Sequence, residues 1–241
     1  AVNRLSSNLA TVFTAPEFVE ARLFVNVPDD IPVSTLPDSV TVAPEAYDSF
    51  VVPAGSERAA LQLPAPFELI ARAVAIQGQA GGENFASYQL AVGRGLRPNE
   101  WVELGDASAI PVRSGLLGTW DTRDFADGLY ALRLQMRFED GGIETTYSLV
   151  TVDNQAPLLE LLSSLDDIRA GDEFTIRLLA EDAYGIAGLD IYIDGVLLRR
   201  VEQAPYVLSA ELAAGAHTLR VIASDEAGNV SDLQVEFEVA P

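Results

Sequence analysis

From Leu63 onward, apolar residues recur in short alternating runs bounded by Gly, Pro, Asn and Asp, and no run keeps the period of a long helix. This is the pattern of an antiparallel β-sandwich. In the middle third of the chain it predicts strands at 70–76, 86–92, 101–104, 116–121, 130–138 and 145–152. Within 130–138, Tyr130, Leu132, Leu134, Met136 and Phe138 share one face, while Arg133, Gln135 and Arg137 share the other. One side of that strand is therefore buried and one is wet.

A second set of strands follows Val152-Asp153-Asn154-Gln155-Ala156-Pro157, whose Asp-Asn and Pro suit a short connection between domains. It is predicted at 158–162, 173–181, 189–194, 196–200, 206–210, 217–224 and 231–239. Asp194-Gly195, set between Ile191-Tyr192-Ile193 and Val196-Leu197-Leu198, is a strong signal for a two-residue hairpin. The expected fold class is all-β: two tandem immunoglobulin-like β-sandwiches at 63–154 and 155–241, preceded by an extended Pro-rich segment at 1–62.

A weak internal repeat relates the two sandwiches. Asp127-Gly128-Leu129-Tyr130-Ala131-Leu132-Arg133-Leu134 aligns with Ala214-Gly215-Ala216-His217-Thr218-Leu219-Arg220-Val221. In sandwiches of this kind a Tyr at such a corner hydrogen-bonds back to the backbone at the start of the penultimate strand. Tyr130 is expected in that place, and His217 is read as its structural counterpart in the second copy, with both substantially buried.

Residues 1–62 differ. Prolines at 16, 28, 32, 37, 44 and 53 interrupt every apolar run, so 20–27 and 49–53 suit edge strands, but no closed core is visible. Ordering such a segment costs about 1–2 kcal/mol of backbone entropy per residue, which requires burial against a partner surface. The alternation of Leu23 and Val25 with Arg22, Phe24 and Asn26 marks Leu23, Phe24 and Val25 as the candidate strand-addition interface. The partner surface is either the chain's own middle domain or another protein chain.

Composition then removes whole classes of chemistry. All 15 basic residues are arginines, against 36 acids, for a formal charge of −21. Without lysine there is no Schiff base, no P-loop lysine and no Ser-x-x-Lys pair; without cysteine there is no thiol catalysis, zinc–thiolate site or disulfide. A single histidine, His217, leaves little material for a proton relay. The expectation is no catalytic residue and no organic cofactor. Nucleic acid is a poor partner for a surface of this sign. No apolar stretch approaches 18 residues, so no membrane insertion is expected, and Ala1 opens a polar segment without signal-peptide regions, so any targeting sequence is expected to have been removed or to lie upstream.

Cations are the natural counterpart. In the predicted sandwich topology the linker meets the B–C and F–G loops at one end of the second domain. That end would gather Asp153 and Asn154, Glu181-Asp182, and Asp225-Glu226-Ala227-Gly228-Asn229. Hard oxygen ligands in such number suit Ca²⁺, with Asp153, Asn154, Asp182, Asp225 and Asn229 as the candidate ligands. The same residues also serve as turn formers that bond their own backbone.

Other motifs read more simply. Trp101 and Trp120 offer aromatic faces for sugars but fit core packing better, and Tyr184 is the more exposed contact. Asp29-Asp30 and Asp166-Asp167 are adjacent pairs on turns, without the spacing a glycosidase needs. Gly93-Arg94-Gly95 reads as a turn, and Asn229-Val230-Ser231 matches a glycosylation sequon.

At Asp182-Ala183-Tyr184-Gly185-Ile186, Ile191-Tyr192-Ile193-Asp194-Gly195, Gly215-Ala216-His217-Thr218-Leu219 and Ala223-Ser224-Asp225-Glu226-Ala227-Gly228-Asn229, the second domain resembles bacterial Ig-like modules of secreted and cell-surface proteins. In the middle domain, Phe85-Ala86-Ser87-Tyr88-Gln89-Leu90, Pro98-Asn99-Glu100-Trp101, Leu117-Gly118-Thr119-Trp120-Asp121-Thr122 and the Asp127–Leu134 stretch resemble the Ig-like C-terminal extensions of class A penicillin-binding proteins. The stretch from Leu9 to Glu20 is similar to the piece trailing the transpeptidase domain of that family. Both of that family's catalytic motifs need lysine, so no active-site residue carries over. The resemblance implies a non-catalytic, extracytoplasmic module at a bacterial envelope. Its expected partners are protein, either self or neighbouring envelope subunits, or cell-wall glycan. The alternatives are a secreted self-assembling subunit and a glycan-binding accessory region of a peptidoglycan synthase.

Overall fold

The computed structural model describes residues 2–3, 8–10, 19–24, 42–44, 56–96 and 98–241. By contact the chain divides into two units. One comprises residues 1–68, 73–121 and 128–151; the other comprises 69–72, 122–127 and 152–241.

Near the N-terminus, β1 (Val2–Asn3) pairs antiparallel with β2 (Val19–Glu20). The strand expected over 20–27 stops at Glu20: Ala21–Phe24 are irregular, and Val25 lies outside the described residues. The proposed edge strand at 49–53 also falls outside them.

The chain then lays down β3 (Ala59–Leu63), β4 (Leu69–Ile70), β5 (Ala73–Ala80), β6 (Phe85–Arg94), β7 (Val102–Glu103), β8 (Val112–Asp121), β9 (Gly128–Phe138) and β10 (Ile143–Val152). In the first unit, β3, β5 and β8 form one sheet in that order, while β10, β9, β6 and β7 lie side by side in the other. Strand β3 crosses the residue-62 limit set from sequence. Its neighbour β5 reaches it through Leu61 opposite Gly78. The predicted strand at 70–76 is broken in two at Ala71-Arg72, because Arg72 adopts φ +60°. Strand 101–104 shrinks to Val102–Glu103.

Alternation on β9 supplies the interior of this unit. Tyr130, Leu132, Leu134 and Met136 are buried, and Arg137 on the other face is exposed. Trp120 of β8, fully buried, meets Tyr130 edge to face at 5.6 Å between ring centroids. Such pairing adds about 0.5–1.5 kcal/mol to the burial of the two rings. Trp101 is only half-buried: its ring packs on Tyr147 and lies beneath the Arg133 guanidinium at 4.2 Å.

The second unit is built from β11 (Leu158–Leu161), β12 (Phe174–Glu181), β13 (Ile186–Ile193), β14 (Val196–Val201), β15 (Tyr206–Ala210), β16 (Gly215–Asp225) and β17 (Val230–Val239). One sheet is ordered β11-β12-β15 and the other β14-β13-β16-β17. Between them lies a core of Ile176, Leu178, Leu189, Ile191, Leu219, Val221 and Val239; Phe174 and Phe237 pack against it and meet each other edge to face. The Asp194-Gly195 turn joins β13 to β14 with both residues at positive φ, +50° and +78°, as a two-residue hairpin requires.

The two units share one connectivity. In each, the first, second and fifth main strands form one sheet, and the third, fourth, sixth and seventh form the other. This is an immunoglobulin-like sandwich, twice over. The internal repeat falls on the sixth strand of each. β9 and β16 are both 11 residues long and both open on a glycine, Gly128 at φ +135° and Gly215 at φ +139°.

Candidate functional site

Two turns and a linker make the site, all within the second unit. The first turn joins β12 to β13. There Asp182 caps its own loop, its Oδ1 accepting from the backbone N–H of Tyr184 at 2.7 Å and of Gly185 at 3.2 Å. Short acidic side chains favour such turns because the carboxylate replaces a backbone acceptor.

The second turn, Asp225 to Asn229, joins β16 to β17. Backbone bonds run from Asp225 N to Asn229 O (3.1 Å) and from Gly228 N to Asp225 O (3.3 Å). Gly228 sits at φ +82°, the left-handed residue that closes a turn of this length. Asp225 is 2% exposed, and Asn229 grips it twice: the backbone N–H donates to Oδ1 (2.8 Å) and Nδ2 donates to Oδ2 (2.9 Å). Asn229 Nδ2 also donates to the backbone oxygen of Asp153 (2.8 Å), which ties the linker to the turn.

Asp153 stands on that linker, 1% exposed. Its Oδ1 accepts a long bond from Gln155 N (3.3 Å), and its buried Oδ2 has no hydrogen-bond partner. Asp153, Asp182 and Asp225 each offer one carboxylate oxygen to a group whose members all lie within 4.8 Å of one another. Two full negative charges at that separation repel by roughly 3 kcal/mol at an effective dielectric near 20. Burial above all, with further contributions from the charges of Asp182, Asp225 and Asp127, pushes the Asp153 carboxyl up to about 6, against the opposing hydrogen bond from Gln155.

Both asparagines are tied into this end of the sandwich by hydrogen bonds. Asn154 Oδ1 accepts from Arg72 N (3.1 Å) and from the Thr122 hydroxyl (2.8 Å), while Nδ2 donates to Thr122 O (2.9 Å). Its backbone N–H donates to Asp127 Oδ1 (2.9 Å). Asn154 therefore braces the linker against two neighbouring segments, and Asn229 braces Asp225 and Asp153. Of the two side-chain amides, that of Asn229 holds a carboxylate of the group, Asp225. Residues 72, 122 and 127 were not visible as parts of the site in sequence, because they come from positions up to 82 residues away.

Other expected features fall elsewhere. His217 lies at the opposite end of β16 from Asp225, beside Phe237, with its side chain 13% exposed. Asp166-Asp167 form an exposed turn in which Ser164 Oγ donates to Asp166 Oδ2 (2.7 Å); Asp29-Asp30 lie outside the described residues. Tyr184 is exposed, as expected. The sequon is closed: Asn229 is 6% exposed and its Nδ2 is committed to two acceptors. Gly93 and Arg94 belong to β6, and the turn begins only at Gly95.

The fold and this loop geometry define a tandem Ig-like β-sandwich protein. A family model described as bacterial Ig domain matches residues 162–221, which is most of the second sandwich from the approach to β12 through the middle of β16. No curated protein matches the chain in sequence. Among solved structures, the chain is similar to fibronectin(III)-like modules of Clostridium thermocellum CbhA, at 19% identity and a TM-score of 0.47, over 75% of this chain and 93% of that one. It is similar also to domains A168–A170 of titin, at 14% identity and a TM-score of 0.42, over 75% and 66% of the two chains. A third is a bacterial ice-binding adhesin, at 15% identity and a TM-score of 0.37, over 73% and 62%. Among the described residues no helix is long and apolar enough to cross a membrane.

Proposed function

We propose that this chain is a non-catalytic, extracytoplasmic module of a bacterial envelope, which spaces or docks other proteins through the surfaces of its two sandwiches. The observation that carries this reading is the repeated architecture: two sandwiches of the same connectivity, each filled by apolar side chains. Domains of this fold generally serve as structural or binding units, and bacterial Ig domains are typically extracellular. An antibody raised against the folded chain tests the location. It should label intact native cells; labelling that appears only after permeabilisation would overturn the extracytoplasmic reading.

A second reading, assembly of copies by strand addition, is favoured by Leu23, which is 97% exposed in the single chain. Recognition of cell-wall glycan, the role suggested by the likeness to penicillin-binding protein extensions, would depend on Trp101. One face of that ring is already under Arg133, and Trp120 is buried.

A further inference from the structure

We propose that Asp153, Asp182 and Asp225 bind one Ca²⁺ ion at the linker end of the second sandwich. Two observations carry this independently. The first is convergence: ligand oxygens of the three carboxylates all lie within 4.8 Å of one another. Two oxygens on opposite sides of a Ca²⁺ ion, at about 2.4 Å each, are separated by about the same distance, so one ion reaches all three with little movement of the backbone.

The second observation is the unpartnered oxygen. Asp153 is 1% exposed, yet its Oδ2 receives no hydrogen bond from the protein. A buried carboxylate oxygen without a donor is costly unless a cation or a proton meets it. The guanidinium of Arg72 reaches this end of the sandwich but donates to the carbonyl oxygen of Gly228.

The chemistry of the set selects the ion. Three carboxylates with no imidazole or thiolate among them are hard ligands, which favour Ca²⁺ or Mg²⁺ over transition metals. Mg²⁺ demands shorter bonds and near-octahedral geometry, whereas Ca²⁺ accepts the longer bonds and irregular ligand arrangements that a linker and two turns supply. Hydrogen bonds hold the ligands in place: Asn229 fixes Asp225, and the N–H groups of Tyr184 and Gly185 fix Asp182 through Oδ1. Bound Ca²⁺ would join linker, B–C turn and F–G turn through one centre.

Isothermal titration of the full chain with CaCl₂ tests this, after removal of metal by EDTA and dialysis, at about pH 7.5 and about 150 mM NaCl to screen diffuse surface binding. The expected result is one saturable ion per chain at or below about 1 mM, the range of extracellular calcium modules. Asp153→Asn and Asp182→Asn should each weaken binding at least tenfold, whereas Asp166→Asn, in an exposed turn, should bind as the unsubstituted chain does. Should Asp153→Asn fail to fold, Asp182→Asn decides, since that residue is only partly buried. MgCl₂ should bind more weakly than CaCl₂. Absence of saturable binding, or several weak equivalents that persist unchanged in both variants, would overturn the proposal in favour of a protonated Asp153 or simple screening of an acidic surface.

Discussion

His217 Nδ1 lies 2.7 Å from Asp194 Oδ2, and its Nε2 lies 3.0 Å from the backbone oxygen of Ala213. Both partners are acceptors, so the ring satisfies both only when each nitrogen carries a proton. The bond to Asp194 is the main reason the His217 pKa is held above 6.5, with Ala213, Asp194 and Glu238 adding to it against some desolvation. The same bond holds the Asp194 carboxyl below its ordinary value. Asp194 Oδ1 meanwhile accepts from Thr218 N (2.9 Å), so the hairpin turn is moored to the start of β16.

A pH dependence follows. Because the folded pKa of His217 is raised, its stabilising contribution is complete below the unfolded value and is lost as pH rises through the folded one. The Asp194 contribution is lost at the other end, as pH falls through its lowered pKa. Urea midpoints measured between about pH 7 and 9, above the titration of Asp153, should fall with rising pH in the unsubstituted chain and stay flat in His217→Gln. Equal slopes in the two proteins would contradict this arrangement.

Tyr130 occupies the matching place on β9, 5% exposed and set edge to face against Trp120. Tyr130→Ala should destabilise the chain by about 3 kcal/mol, through a cavity beside a buried indole. An unchanged denaturant midpoint would count against equivalence of the two corners.

Gly78 tests whether β3 belongs to the first sandwich. A Cβ at this residue would stand 2.0 Å from the backbone oxygen of Ala60 and 2.9 Å from a methyl group of Leu117. Backbone cannot yield as a flexible side chain does, so Gly78→Ala should cost about 2 kcal/mol or more and raise amide exchange over Ala59–Leu63. Unaltered exchange there would mean that β3 is not held by β5.

Where one face is buried, the strands are legible in sequence: the expected 206–210 matches β15 to the residue, and two residues alone mark the Asp194-Gly195 turn. Ala59–Leu63 is not legible in sequence, because only Leu61-Gln62-Leu63 alternates and the run abuts a Pro-rich stretch; its strand character comes from pairing with β5. The break at Arg72 was invisible for a similar reason, as its N–H is held by Asn154, 82 positions away. Convergence of Asp153, Asp182 and Asp225 followed from the order of strands in a sandwich, which brings their loops to one end. Whether an asparagine there would ligate or brace depends on where its amide points, and sequence does not encode that locally.

Sedimentation velocity of the full chain, at micromolar concentration and about 150 mM NaCl, bears most directly on whether it acts as a single-chain module or as a polymer subunit. The account predicts one monomeric species, unchanged by deletion of residues 1–30. Ordered polymers that vanish on that deletion would contradict it and would assign Leu23 and Phe24 to strand addition between copies.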